Sequence, residues 1–297
     1  TRLGGLDGCL CVRDLGFHEP PGVRRGMGLS SPSFERWDST RPASAGMEER
    51  PFMAKPLLIV KTGSAVDLPP GSGDFEDWIQ AGLGLERVAV CHVEVGESLP
   101  GVDEIHGIVI TGSVKMVTDR WPWSERAALW LRGAVQAGQP ILGICYGHQL
   151  LAHALGGTVA PDTRGREIGT VDIELTSAAS EDPLFGDAPA RFAAQATHCE
   201  SVVALPEGAV LLGSSSHTPI HAFRVGRCAW GVQFHPEFGP EVLIAYVRAR
   251  AEALRAEGLD PQAIEADVTS TPVATALLRR FADIVAEHQG SPAALAS

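Results

Sequence analysis

Cys145, His235 and Glu237 are the side chains of this sequence whose types and contexts suit covalent chemistry. A thiolate attacks carbonyl carbon well, but it needs a base to take up and return a proton, and the base needs a group that fixes its tautomer. Cys145 lies in Gly-Ile-Cys-Tyr-Gly-His-Gln, residues 143–149. The apolar run 141–144 suits a buried strand, and Leu150, Leu151, Ala154 and Leu155 recur at helical spacing until Gly156-Gly157 stops the helix. The cysteine therefore falls on a sharp strand-to-helix turn. Amides of a first helical turn have no intrahelical partners, and they can favour a thiolate or hold an oxyanion. Taken alone, Cys145 also reads as a small buried apolar residue.

His235 closes the β-like run Trp-Gly-Val-Gln-Phe, and Pro236 stiffens its link to Glu237. In open α/β sheets ligands bind beyond the carboxyl ends of strands, so a histidine there can serve as base while a nearby carboxylate accepts from its other nitrogen. Without a partner it reads as a histidine in a surface turn. Thr111-Gly112-Ser113 ends another apolar run, where the glycine lets backbone approach a ligand and the amides can share an oxyanion. By itself that segment is an ordinary βα turn.

The elements that must position these groups alternate in the α/β manner. Segments 57–60, 88–93 and 108–110 read as strands, 74–82 as a helix that an Asp can cap, and 123–137 as a helix stopped by Gly138 before the central strand. This pattern predicts a doubly wound, mostly parallel sheet with helices on both faces. After Gly157 the expected strands are 170–175, 209–213, 220–225 and 228–234, followed by helices over 240–257 and 271–288. Residues 1–52 carry Gly, Pro, Ser and Arg without periodicity and are expected to be a disordered extension or the product of an upstream start, leaving 53–297 as the folded domain.

With 24 Lys and Arg against 36 Asp and Glu, the net charge of −12 argues against nucleic acid and anionic membrane as partners. The 6 cysteines are scattered without a disulfide or zinc spacing, which suits a reducing compartment, and a cytoplasmic location is expected. The sequence has no Gly-rich loop of the G-x-x-x-x-G-K type, so ATP chemistry is not expected, nor is any cofactor. His148, His153, His217 and His221 are read as exposed or satisfied, with no three converging on a metal. Trp121, Trp123 and Trp130 are read as packing residues, and Cys199 as a redox liability.

Gly-Ile-Cys-Tyr-Gly-His-Gln followed by Val-Gln-Phe-His-Pro-Glu resembles, in order and approximate spacing, the class I glutamine amidotransferases, in particular stand-alone relatives of the GMP synthase amidotransferase domain. The resemblance covers roughly 56–239. It implies Cys145 as nucleophile, His235 as base and then acid, and Glu237 as orienting carboxylate, with the amides of Ser113 and Tyr146 forming the oxyanion hole. Gly112, Gln149 and His198 fall at substrate-binding positions, His198 within Thr197-His198-Cys199-Glu200, where relatives carry an S-H-x-D-like turn. Val114 stands where many relatives have proline, and Cys199-Glu200 where Gly-Asp is commoner. The implied reaction is hydrolysis of the glutamine side-chain amide through a cysteine γ-glutamyl thioester, the ammonia passing to an acceptor, with a separate synthetase subunit as the implied partner. The alternatives are a γ-glutamyl peptidase or hydrolase using the same groups, and a non-catalytic regulatory module, against which the intact Cys145, His235 and Glu237 argue.

Overall fold

The computed structural model describes residues 35–36, 55–65 and 68–289. Most of the segment 1–52, and with it the expectation of disorder there, lies outside the described residues; Glu35–Arg36 forms a short strand, β1, parallel to residues 89–90.

Strands β2 (Leu57–Lys61), β3 (Ala89–His92), β4 (Gly107–Ile110) and β5 (Ile141–Ile144) are short apolar runs that the sheet buries on both faces. Leu57 and Ile59 point into one core with Val109 and Ile144, while Leu58 and Val60 point into the other with Ile108 and Ile110. Helix α1 (Phe75–Leu83) covers the first face; α2 (Pro122–Gln136) and α3 (Tyr146–Ala154) cover the second. Asp74 caps α1 in a reciprocal box with Asp77, as the local sequence predicts.

After α3 come β6 (Thr158–Pro161), β7 (Glu167–Leu175), β8 (Arg191–His198), β9 (Glu200–Ala204), β10 (Val210–Ser214), β11 (Ala222–Val225) and β12 (Ala229–Val232). The main sheet has 10 strands in the order β1-β3-β2-β4-β5-β12-β11-β10-β7-β8. It is parallel from β1 to β12 and antiparallel beyond, and β6 pairs with β9 in a separate ribbon. The C-terminal helices are α4 (Pro240–Ala249), α5 (Ala251–Ala256), α6 (Pro261–Ala266) and α7 (Pro272–Gln289), the last returning to α1.

Expectation and structure differ in several places, and the ribbon strands β6 and β9 are not among the expected ones. Strand β8 is absent from the sequence reading because Arg-Phe-Ala-Ala-Gln-Ala-Thr-His is poor in β-branched residues; an eight-residue register with β7 overrides that weak local preference. The predicted single helix over 240–257 breaks at Arg250, which caps α4 and begins α5. The predicted connector before α7 contains α6, with Asp260 accepting from the amides of Gln262 and Ala263 and Pro261 in the first turn.

Candidate active site

The ends of β4, β5 and β12 converge at the carboxyl edge of the parallel sheet, and a cleft there is lined by Ser113, Cys145, Tyr146, Gln149, His198 and His235. Cys145 sits between β5 and α3 with φ 51 and ψ −101, a left-handed backbone that a side chain adopts only under constraint. Small residues make that constraint possible. A Cβ on Gly143 would stand 2.4 Å from the carbonyl of Gly147, and one on Gly147 would stand 2.5 Å from the carbonyl of Ile110. The Cys145 amide donates to Val232 O at 2.8 Å, which ties the elbow to β12. Tyr146, next in sequence, is the first residue of α3, so its amide has no intrahelical partner, and the residue lines the same cleft.

His235 is held on all sides. Its amide donates to Gln195 O at 2.8 Å on β8, and its ring stacks on Phe238 at 4.1 Å and on Phe75 at 6.2 Å. Phe75 is placed by the first turn of α1, which buried Lys61 at the end of β2 pins through Asp74 at 2.6 Å. Nδ1 of His235 lies 2.8 Å from Glu237 Oε1, so Nδ1 carries the hydrogen and Nε2 is turned away from the carboxylate. Burial alone lowers the histidine pKa, but the Glu237 charge and then the Cys145 sulfur outweigh it and push the imidazole up to about 10. The Cys145 sulfur raises the imidazole both through charge and as a hydrogen-bonding neighbour. A Cβ on Gly112 would lie 2.9 Å from His235 Cε1; glycine there leaves the ring its place.

Gln149 and His198 also line the cleft, with their polar groups partly spent, whereas Gly112 and Glu237 stand behind His235 and outside the lining. Gln149 gives both amide hydrogens to the protein, to Glu200 O at 2.7 Å and Gln233 Oε1 at 3.0 Å. His198 Nδ1 meets Glu200 O at 3.1 Å and Nε2 meets Glu167 Oε2 at 2.8 Å, so both ring nitrogens are engaged within the protein. The Glu200 carboxylate accepts from Val117 N at 3.0 Å and from Thr118, fastening the segment after Ser113 to β9. Burial pushes the Glu200 carboxyl up against those bonds.

One reading of the histidines needs correction. Glu167, His198 and His221 do converge, their ligand atoms lying within 4.8 Å of one another in full burial. Sequence separation hid this, since β7, β8 and the approach to β11 meet only in the sheet. Glu167 Oε2 also accepts from Thr218 at 3.1 Å, and Oε1 accepts from Ser215 at 2.7 Å. The trio is therefore a hydrogen-bonded knot whose carboxylate capacity is filled. Burial opposes ionisation of Glu167, yet the bonds from His198 and His221 hold its carboxyl well below the usual range. His148 is neither exposed nor well satisfied: it is enclosed against Phe223 with neither nitrogen in hydrogen-bonding geometry. Burial drives its pKa down to about 3, the neighbouring main chain of Gly231 and Ile220 offsetting only part. Trp123 and Trp130 pack on the second core, whereas Trp121 is 41% exposed with Lys115 over its ring.

Sequence reasoning also missed cleft residues that carry no motif, among them Phe75, Arg166, Tyr246 and Arg250. They arrive from α1, the start of β7 and the α4–α5 junction.

The fold and this arrangement define a class: residues 75–248 match the model of the class-I glutamine amidotransferases, and the chain belongs to that family. Among its relatives are GMP synthases. It is 39% identical to that of Thermomicrobium roseum over 131 residues, which is 44% of this chain and 23% of the relative. It is 43% identical to that of a Parafrankia species over 163 residues, 53% of this chain and 29% of the relative. The matched region thus spans under a third of those proteins. A glutamine amidotransferase from Thermotoga maritima has the same fold, with a TM-score of 0.65 at 22% identity over 79% of this chain and 100% of that one. No helix among the described residues is long and apolar enough to cross a membrane.

Proposed function

We propose that residues 53–297 form an amidotransferase domain that hydrolyses the side-chain amide of glutamine. The observation that carries this is the placement of His235 between Glu237 and the strained Cys145 elbow, in one cleft. Cys145 attacks the amide carbon, the amides of Ser113 and Tyr146 hold the oxyanion, and His235 passes its proton to the departing nitrogen. Water then cleaves the γ-glutamyl thioester, releasing glutamate. Gln149 and the turn at His198 to Glu200 bind the glutamyl portion. The kinship with GMP synthases supports delivery of the ammonia to a synthetase partner.

Glutamate release from glutamine by the purified chain, with mass spectrometry for a γ-glutamyl adduct, tests this. Cys145→Ala is expected to abolish release and adduct while keeping the fold. Undiminished turnover in that variant would overturn the scheme.

A further inference from the structure

The proposed chemistry needs the Ser113 amide and the turn at His198 to Glu200 to be set together, yet they stand on different segments of the chain. Residues 112–116, Gly-Ser-Val-Lys-Met, contain no proline and belong to no helix or strand, so their course depends on what grips the two ends. Buried Thr62 grips the near end: its hydroxyl lies 3.0 Å from Gly112 O, and its carbonyl accepts from the Ser113 hydroxyl at 2.9 Å. Glu200 grips the far end. Its carboxylate accepts from Val117 N at 3.0 Å, from Thr118 N at 3.4 Å and from the Thr118 hydroxyl, fixing the start of the helical turn Val117–Asp119. Between the two grips, Val114, Lys115 and Met116 line the cleft.

Glu200 also reaches the other half of the site. It begins β9, and its carbonyl accepts from Gln149 Nε2 at 2.7 Å and faces His198 Nδ1 at 3.1 Å. Its main chain thus holds two residues assigned above to the glutamyl portion, while its side chain holds the segment that carries Ser113. Sheet pairing does not join these parts: β9 pairs with β6, whereas β4, which leads into the segment, pairs with β2 and β5. The Glu200 carboxylate makes the bridge that the sheet does not. The residue is 3% exposed, so water does not compete for its oxygens, and bonds to an ionised acceptor are the strong kind.

We propose that Glu200 is a positioning residue whose carboxylate locks the oxyanion segment 113–118 to the glutamyl-binding turn, so that a substrate seated at the turn meets Ser113 already in place. This rests on the thioester chemistry proposed above. The carboxylate is spent on Val117 and Thr118, so it acts through Ser113 rather than on the substrate. With an uncharged amide in its place those donors meet a weaker acceptor, and the segment gains freedom where the oxyanion donor must stay fixed.

The test uses Glu200→Gln and, from the other side of the contact, Thr118→Val. Three quantities are read: amide hydrogen exchange across 113–118, steady-state glutamate release, and alkylation of Cys145 by iodoacetamide, which needs a reactive sulfur but no oxyanion hole. Glu200→Gln is expected to speed exchange across 113–118 by about 10-fold or more and to leave β4 and β5 unchanged. It should lower kcat by about 10- to 100-fold, while KM and the alkylation rate stay within about 3-fold. Thr118→Val should give part of the same kcat loss and add little to it in the double variant, because both substitutions break one contact. Unchanged exchange across 113–118 or unchanged kcat in Glu200→Gln would overturn the lock. So would additive losses in the double variant, or a fall in alkylation as large as the fall in kcat, since Cys145 itself would then have been disturbed. A wild-type chain that released no glutamate and formed no γ-glutamyl adduct would instead overturn the thioester reading, with the exchange measurement still deciding the lock.

Discussion

Replacing Glu237 by Gln keeps the shape of the proposed dyad and removes its charge. The carboxylate lies 2.8 Å from His235 Nδ1, and the two side chains are 0% and 2% exposed. Unit charges about 4 Å apart interact by about 4 kcal/mol at an effective dielectric of about 20. That equals about three pKa units, an upward push on the histidine that works against burial and beside the Cys145 sulfur. The sign follows from the direction of the shift. With Glu237 present, the imidazolium that must protonate the leaving nitrogen persists through neutral pH and is lost only as pH rises toward 10. Without the charge, the ring deprotonates at lower pH and the amide can no longer hold the same tautomer as firmly. Glu237→Gln should therefore lower kcat for glutamine hydrolysis by about 10²- to 10⁴-fold and move the alkaline limb of the rate profile to lower pH. The assay is steady-state glutamate release from pH 5 to 11, with circular dichroism to verify the fold. A loss under about 10-fold with an unmoved alkaline limb would refute the assignment of Glu237 as the orienting charge.

Three further outcomes follow from the same geometry. Cys145→Gly should raise stability relative to Cys145→Ala by about 1–3 kcal/mol, because φ 51 strains any residue with a Cβ, and paired thermal melts of the two inactive variants would read it. Gly112→Ala should lower kcat with little change in melting temperature, since its methyl carbon would stand 2.9 Å from His235 Cε1 and displace the ring; an unchanged kcat would show that the ring has room to spare. Glu167→Gln should cost about 3–5 kcal/mol, on the order of 10 °C in melting temperature, by removing the buried charge that His198 and His221 share and leaving one carbonyl oxygen, beside an amide donor, to face the groups that the carboxylate accepts from. The Glu167 carboxyl is held below its ordinary 4.5, so its contribution is present above that pH and is lost on acidification. The variant's melting temperature should accordingly vary less between pH 5 and pH 3 than that of the parent, as scanning calorimetry would show.

The sequence alone determined the elements whose cause is local. Continuous apolar runs had to be strands buried on both faces, and the glycines around Cys145 had to permit a tight elbow, so the parallel half of the sheet and the strand ends bearing Ser113, Cys145 and His235 could be read directly. Helix α6 was legible too, through Asp260 and Pro261, and was passed over only because the segment is short. Tertiary structure decided what depends on pairing between distant segments. The alanine-rich β8 is a strand because β7 lies beside it along its whole length, and no local propensity announces that. For the same reason Glu167, His198 and His221, far apart in the chain, become a single buried knot, and Glu200 reaches back to the amides after Ser113. Tyr246 of α4 and Arg250 at the break after it carry no motif, yet both line the cleft. The proposed nucleophile and its base were legible because their chemistry needs particular residue types at strand ends.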